Sequence, residues 1–238
     1  MNELPESGSP ATRSPRAGSG EMFDAIAPRY DVLNRVLSAR VDVAWRRKAV
    51  RALELKPGDS ILDLATGTGD LLLEELRAGA VRSVGADLSF GMLRLTPGKL
   101  AGHGPTARVC QGDAERLPFG DARFDGASIA FGIRNVLDRA QGVREMRRVV
   151  KPGGRVAVLE FHETTGFVGT VFRIYFNHIL PRIGALVSSR EAYSYLPKSV
   201  ANFESPEGFA NLMRNAGLKN VTSTPLTFGI AWLHVGTV

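Results

Sequence analysis

The chain has 238 residues, 44% apolar and 23% charged, with a formal net charge of +6, enough for one full core of ordinary globular composition. A single cysteine, Cys110, excludes an intramolecular disulfide framework and a cysteine-rich metal site, and the four histidines (His103, His162, His178 and His234) lack metal-ligand spacing. No run of about 18 uninterrupted apolar residues exists to cross a bilayer; the nearest, Phe167–Val187, contains Arg173, Asn177, His178, Pro181 and Arg182.

Residues 1–21 are rich in Ser, Pro, Gly and Arg and have no hydrophobic h-region, so they read as a disordered tail and not as a secretory signal. Residues 22–238 then read as one domain. Phe23–Arg51 is expected to be helical, broken at Pro28 and around Ser38–Arg40. Lys56-Pro57-Gly58-Asp59 turns the chain into a first strand, Ser60–Ala65, and a helix over Asp70–Ala78 follows. Strand two is Arg82–Asp87, and the helix starting near Ser89 is expected to be cut by Pro97-Gly98. Strand three is Ala107–Asp113, which makes Cys110 a reduced strand residue, and strand four is Phe124–Phe131. A helix over Ala140–Val150 stops at the turn Lys151-Pro152-Gly153-Gly154, and strand five is Arg155–Phe161. Residues 162–204 interrupt the alternation with the apolar helical stretch Phe167–Val187. Ser205 caps a last helix, to Ala216, with Pro206 as its first residue. The strands Asn220–Thr227 and Ile230–Gly236 turn on Phe228-Gly229.

Alternating β and α units predict an α/β fold: a seven-stranded, mostly parallel, doubly wound sheet with an antiparallel last strand. A ligand site in such a sheet lies at the carboxyl ends of strands one and four, where the strand order reverses. The densest basic clusters, Arg46-Arg47-Lys48 with Arg51 and Arg144 with Arg147, Arg148 and Lys151, read by default as solvated helix faces; attraction to an anionic lipid surface is the functional alternative. No aromatic residues interleave with them, which argues against a nucleic-acid groove.

The most informative segment is Ile61-Leu62-Asp63-Leu64-Ala65-Thr66-Gly67-Thr68-Gly69-Asp70. An apolar strand reaches an acid, and small residues at Ala65, Gly67 and Gly69 then let the backbone pass close to a ligand in front of a helix N-terminus. The third small residue comes one position too early for a dinucleotide fingerprint. An acid followed by small-x-Gly-x-Gly resembles the first motif of S-adenosylmethionine-dependent methyltransferases. Asp87 ends strand two, where a carboxylate accepts from both ribose hydroxyls. Asp113-Ala114 ends strand three, where a carboxylate accepts from the exocyclic amine of adenine. These elements in order resemble a class I methyltransferase.

The flanking segments narrow the resemblance. Phe23–Asn34, Phe131-Gly132-Ile133-Arg134-Asn135, Val158-Leu159-Glu160-Phe161, Leu180-Pro181-Arg182-Ile183-Gly184 and Tyr193-Ser194-Tyr195-Leu196 are similar to the UbiE/MenG type of quinone-biosynthesis C-methyltransferases, over about residues 22–237. That family methylates a ring carbon of a polyprenylated hydroquinone such as demethylmenaquinol, with S-adenosylmethionine as donor and no metal. The resemblance implies cofactor contacts at Asp63, Gly67, Thr68, Gly69, Asp87, Asp113 and Ala114. For catalysis it points to Arg134 stabilising the phenolate, Asn135 orienting the ring and Tyr30 closing the site. His162, Asp24 and Asp31 are weaker candidates for a base, and Phe167–Val187 offers a wall for a prenyl chain. A benzoquinol acceptor, or a non-catalytic cofactor-binding scaffold, remains the alternative. Nucleic-acid amino methylation would need Asn/Asp-Pro-Pro-aromatic where Ala130-Phe131-Gly132-Ile133 stands. The expectation is a cytoplasmic enzyme in transient, salt-sensitive contact with the inner face of the membrane, with no nucleic-acid partner and a homodimer left open.

Overall fold

The computed structural model describes residues 40–79, 82–103, 106–164 and 198–238, together with Asp24, Ala27 and Ser38. The expectations for the tail, for Tyr30 and Asp31 and for Phe167–Val187 lie outside these residues. In chain order the elements are α1 (Val41–Ala52), β1 (Ser60–Leu64), α2 (Asp70–Arg77), β2 (Arg82–Asp87), α3 (Phe90–Leu93), α4 (Thr96–Leu100), β3 (Ala107–Gln111), β4 (Phe124–Ala130), α5 (Arg139–Val149), β5 (Val150–Phe161), α6 (Pro206–Asn215), β6 (Lys219–Leu226) and β7 (Ala231–Thr237). They build one seven-stranded sheet in the order β3-β2-β1-β4-β5-β7-β6. The pairings from β3 through to β5 are parallel, while β7 runs antiparallel to both β5 and β6. This is the expected class, with the order reversing between β1 and β4.

Central strands covered on both faces must be apolar on both, and Ile61, Leu62 and Leu64 of β1 are buried accordingly. On one face Leu62, Leu64 and Ile129 pack against Val143 and Met146 of α5, in a core that extends to Phe209 and Met213 of α6. On the other, Ile61, Ala157 and Leu159 meet Trp45 and Ala49 of α1. Asp138 caps α5 by accepting from Gln141 N (2.9 Å), and Ser205 caps α6 as expected, accepting from Gly208 N (3.1 Å).

Two local expectations are corrected. Lys151–Gly154 do not turn the chain out of the sheet: β5 already starts at Val150, and its register with β4 shifts between Phe124↔Val150 and Gly126↔Arg155. The extra residues form a bulge whose backbone groups are satisfied by the chain terminus, Gly153 N donating to Val238 O (2.9 Å) and Val238 N to Gly154 O (3.0 Å). Nor does Pro97 cut a helix. The break falls at Arg94-Leu95, and Pro97 lies in the first turn of α4, where its missing N–H costs nothing.

Candidate active site at the carboxyl ends of the strands

The two central strands end alike. After β1 the chain turns through Ala65 (φ 51°), and after β4 through Phe131 (φ 58°), both in the left-handed region that non-glycine residues avoid. Such strain gathers where the surrounding fold dictates a functional geometry. The two turns meet. A Cβ built on Gly132 would stand 2.6 Å from the Ala65 Cβ, so Phe131–Asn135 lies directly on the glycine loop and only glycine fits at the contact.

The loop is fixed from beneath. Thr66 Oγ1 donates to Asp63 Oδ2 (2.6 Å), Leu72 N donates to the same oxygen (3.0 Å), and Thr66 N donates to Ala86 O (3.1 Å). Asp63 is therefore buried under the loop and supports it. Across from it, Glu75 of α2 accepts from Ser128 Oγ (2.5 Å), while Asp63 Oδ1 and Glu75 Oε2 have no partner. Burial, offset by the Thr66 bond and the Arg46 charge, raises Asp63 to about 7; burial and the Asp63 charge push Glu75 well above the carboxylate range.

On its open side the loop offers donors and space. A Cβ on Gly67 (φ 57°) would meet nothing within 4 Å. At Gly69 (φ 88°) it would meet Thr96 Cγ2 at 2.7 Å, because α4 lies across the loop: Thr96 Oγ1 donates to Gly67 O (3.2 Å), and Lys99 Nζ reaches Thr68 Oγ1 (2.7 Å) and Asp70 (2.6 Å). Asp87 holds the loop from the end of β2, Oδ2 accepting from Gly67 N (2.8 Å) and Oδ1 from Ser89 N (2.8 Å). Burial raises the Asp87 pKa against these two N–H bonds, and nearby Asp24 adds to the rise. Asp24 itself accepts from Ser89 Oγ and from Gly91 N (2.9 Å), which employs the carboxylate at the start of α3. Asp113 accepts from Glu115 N (2.9 Å) at the exposed turn after β3, followed by half-buried Ala114.

Arg134 occupies a short 3₁₀ turn, Ile133–Asn135. Its Nη1 donates to Phe131 O (2.6 Å) and Glu160 Oε1 (2.7 Å), Nε donates to Ser199 Oγ (3.3 Å), and its backbone N donates to Glu160 Oε2 (3.3 Å). Glu160, buried on β5, also accepts from Phe161 N (2.8 Å). Burial raises its pKa, and Arg134 with the two N–H groups opposes the rise. Beside this pair the Phe131 and Phe161 rings stack at 4.5 Å, with Trp45 about 6 Å from each. The Arg134 guanidinium lies 5.8 Å from the Phe161 centroid and that of Arg46 5.4 Å from Phe131. Arg46, buried, pairs with Asp42. The result is an aromatic floor with a cation at either end, suited to a flat ring carrying developing negative charge.

His162 is not placed to act as a base. Its Nδ1 meets Glu204 O (2.9 Å), its Nε2 meets His234 Nε2 (2.9 Å), and His234 Nδ1 meets Ser223 Oγ (2.7 Å). Glu204 O can only accept, so one neutral orientation satisfies all three contacts: Ser223 donates to His234, His234 to His162, and His162 to Glu204. Burial lowers His162 to about 4, and burial with the neighbouring ring lowers His234 to about 3. The structure thus brings Gly67, Thr68, Gly69 and Asp87 together with Arg134 and Asn135. Glu160, Ser199, Thr96 and Lys99 join them without having been singled out for the site. For Glu160 a signal existed, since one acid inside the apolar run Val156–Phe161 implies a buried partner. Among the described residues no group of His, Cys, Asp and Glu is arranged to hold a metal ion.

The sequence matches the family model described as the ubiE/COQ5 methyltransferase family over residues 12–238. A demethylmenaquinone methyltransferase of Deinococcus radiodurans is 50% identical over 219 residues, 91% of this chain and 90% of that protein. A ubiquinone/menaquinone biosynthesis C-methyltransferase UbiE of Geotalea daltonii is 48% identical, over 91% of this chain and 94% of its own. A demethylmenaquinone methyltransferase of Thermus thermophilus is 47% identical, over 90% and 99%. Among solved structures, a SAM-dependent methyltransferase of Thermotoga maritima, described as a possible histamine N-methyltransferase, superposes with a TM-score of 0.64 at 21% identity, covering 92% of this chain and 98% of that one. At that identity the likeness concerns the fold alone. The chain belongs to the ubiE/COQ5 methyltransferase family.

Proposed function

We propose that this methyltransferase transfers the methyl group of S-adenosylmethionine to a ring carbon of a polyprenylated quinol, with demethylmenaquinol as the acceptor. The observation that carries the reading is the contact of Gly132 with Ala65, which sets the Arg134 segment against the glycine loop. Two of the relatives bear the name demethylmenaquinone methyltransferase, which favours the naphthoquinol over the benzoquinol.

The residues present suit the cofactor. Asp87 at the end of β2 is placed to accept from the ribose, and Asp113 with Ala114, after β3, would meet adenine. The open face of Gly67 leaves room for the amino-acid part, with Thr68, Gly69 and the N-terminus of α2 beside it. When bound, the cofactor supplies an already activated sulfonium methyl. A quinol carbon becomes a strong nucleophile as the adjacent hydroxyl loses its proton, so the chain's task is to favour the oxyanion and hold the ring flat. Arg134, anchored by Glu160, Phe131 O and Ser199, turns its Nη2 edge to the oxygen, for which no described residue accepts. Asn135 orients the ring by hydrogen bonding. The replaced ring hydrogen leaves as a proton, one per turnover.

The test is transfer of isotopic label from S-adenosylmethionine to reduced demethylmenaquinone and, in parallel, to a prenylated methoxybenzoquinol, with the ring position determined. Label on the naphthoquinol carbon is expected, and Arg134→Lys is expected to lower the rate at least about 100-fold at near-normal cofactor affinity. Protein that binds the cofactor and labels neither quinol would sink the assignment.

A further inference from the structure

Among the described residues, six large apolar side chains are exposed: Val41, Leu88, Phe90, Leu95, Leu137 and Phe228. Topology gathers all of them at one edge of the sheet. Leu88 follows the end of β2, and Phe90 and Leu95 belong to the segment whose Thr96 hydroxyl bonds the glycine loop. Leu137 lies between the Arg134 turn and α5. Val41 opens α1, which runs down to the start of β1. Phe228 sits in the β6–β7 turn, level with the end of β5 because Ala231 pairs with both Phe161 and Leu226. From β2 to β6 this rim crosses five strand spacings, roughly 24 Å. It surrounds the site just described. The opposite edge differs: there a cleft of about 680 Å³ is lined by Arg82, Arg108 and Arg123, none with a described carboxylate partner.

Phe228 adds an independent observation. Gly229 N donates to Leu226 O (3.1 Å) within the four-residue loop Thr227–Ile230, in which Thr227 (φ 43°) and Phe228 (φ 58°) are both left-handed. Such positions favour Asn and Gly, and a bulky residue there is strained. The Phe228 ring is nonetheless 83% exposed. Exposed to that degree, the ring has little packing to offset the strain, which points to a contact outside the chain.

We propose that this apolar rim docks on a lipid bilayer surface, seating Phe228, Leu137 and Phe90 below the headgroups so that the active-site edge faces the membrane. The proposal rests on the quinol reading, since a polyprenyl chain resides in the bilayer and must enter at this edge. Charge agrees with an anionic lipid surface: Arg40, Arg94 and Lys198 are exposed here with no described carboxylate partner, whereas several cations of the two basic helix clusters are already paired, Arg47 with Glu74, Arg148 with Glu145 and Lys151 with Asp125. Apolar insertion therefore dominates, and the binding differs from the salt-sensitive attraction expected of those clusters.

The experiment is flotation of the full chain with phosphatidylcholine vesicles, with and without phosphatidylglycerol, in low and high salt. Binding that persists on neutral vesicles at high salt is expected, and Leu137→Ser with Phe228→Ser is expected to lower it about tenfold or more, with cofactor affinity and thermal midpoint unchanged. Equal binding by the double variant would overturn the proposal. So would binding confined to anionic vesicles at low salt, or a dimer in solution that hides the rim and does not float. Methyl transfer separates this from the quinol reading. The variant is expected to methylate a short-chain, water-soluble quinol at the wild-type rate and a vesicle-embedded one more slowly. If no quinol is methylated while flotation still follows the rim, the quinol reading fails and the docking surface stands.

Discussion

Two glutamates, Glu75 and Glu160, are both fully buried, and they differ in what faces them. Glu75, beneath the glycine loop, has a single hydrogen bond, from Ser128, and faces the charge of Asp63. Burial and repulsion act together there, and both raise the Glu75 pKa well above the usual carboxylate range. Glu160, behind the acceptor wall, meets the same burial but holds a guanidinium and two backbone N–H groups. A guanidinium does not give up its proton in a protein, so this pair is ionic. Equal burial is thus reinforced by a like charge under the cofactor half and opposed by a guanidinium in the acceptor half. The partner decides, not the depth.

The most severe test of that contrast is amide substitution. Glu160→Gln leaves Arg134 buried beside a group that cannot balance its charge, and breaking a buried pair from one side costs about 3–5 kcal/mol. Glu75→Gln removes a carboxyl that burial and Asp63 already disfavour in its charged form, keeps the shape, and is expected to stay within about 1 kcal/mol. Chemical denaturation measures both. Equal losses would mean that the two carboxyls share one charge state.

The next effect belongs to the cofactor half alone. Asp87→Asn exchanges a charged acceptor of the Gly67 N–H and of the ribose hydroxyls for a neutral one. Charge-assisted hydrogen bonds of this kind contribute about 1.5–3 kcal/mol, so cofactor affinity is expected to fall roughly 10- to 100-fold by calorimetry while the unfolding midpoint hardly moves. An unfolding loss as large as the binding loss would make Asp87 a brace for the loop before it is a ligand.

The two halves also differed in how far the sequence disclosed them. The cofactor half is made of backbone, and backbone demands leave a local trace: Gly67 and Gly69 take left-handed φ, Asp63 is the last residue but one of β1, and Asp87 ends β2. The acceptor half is made of side-chain pairs far apart in the chain. Arg134 meets Glu160 26 residues later and Ser199 65 residues later, and no periodicity records such distances. The parallel sheet and its reversal between strands one and four were legible from the alternation of elements. The bulge at Lys151–Gly154 was not, because Pro-Gly-Gly spells a turn unless one knows that Val238 returns to bond it.

The histidine chain behind the acceptor half gives a pH signature. His162 at about 4 and His234 at about 3 lie below the unfolded value of 6.5. As pH falls from 6.5 toward 4, the unfolded chain takes up protons that the folded one refuses, so stability is lost across that window and the loss levels off below about 3. Asp63 and Glu75, whose folded values are raised, slope the other way. The prediction therefore concerns a difference: wild type is expected to lose stability relative to a His162→Leu, His234→Leu variant between pH 6.5 and 4, by denaturation at each pH. Parallel curves would show that the rings protonate in place.

The smallest expected effect lies on the cofactor side, at Asp24. Its carboxylate accepts from Ser89 Oγ and Gly91 N at the start of α3, while Ser89 Oγ itself accepts from Met92 N. Asp24→Asn keeps one acceptor oxygen and removes the charge. Loss of a cap costs about 1 kcal/mol when the acceptor is deleted, so the amide is expected to cost less than that. The same change removes the negative neighbour that helps raise the Asp87 pKa. Asp87 then ionises at lower pH, and the acidic limb of cofactor binding is expected to move down with it. A binding profile measured against pH separates the two consequences. A downward shift at nearly constant stability makes Asp24 an electrostatic neighbour of the ribose acid, whereas a stability loss without a shift leaves it only a cap.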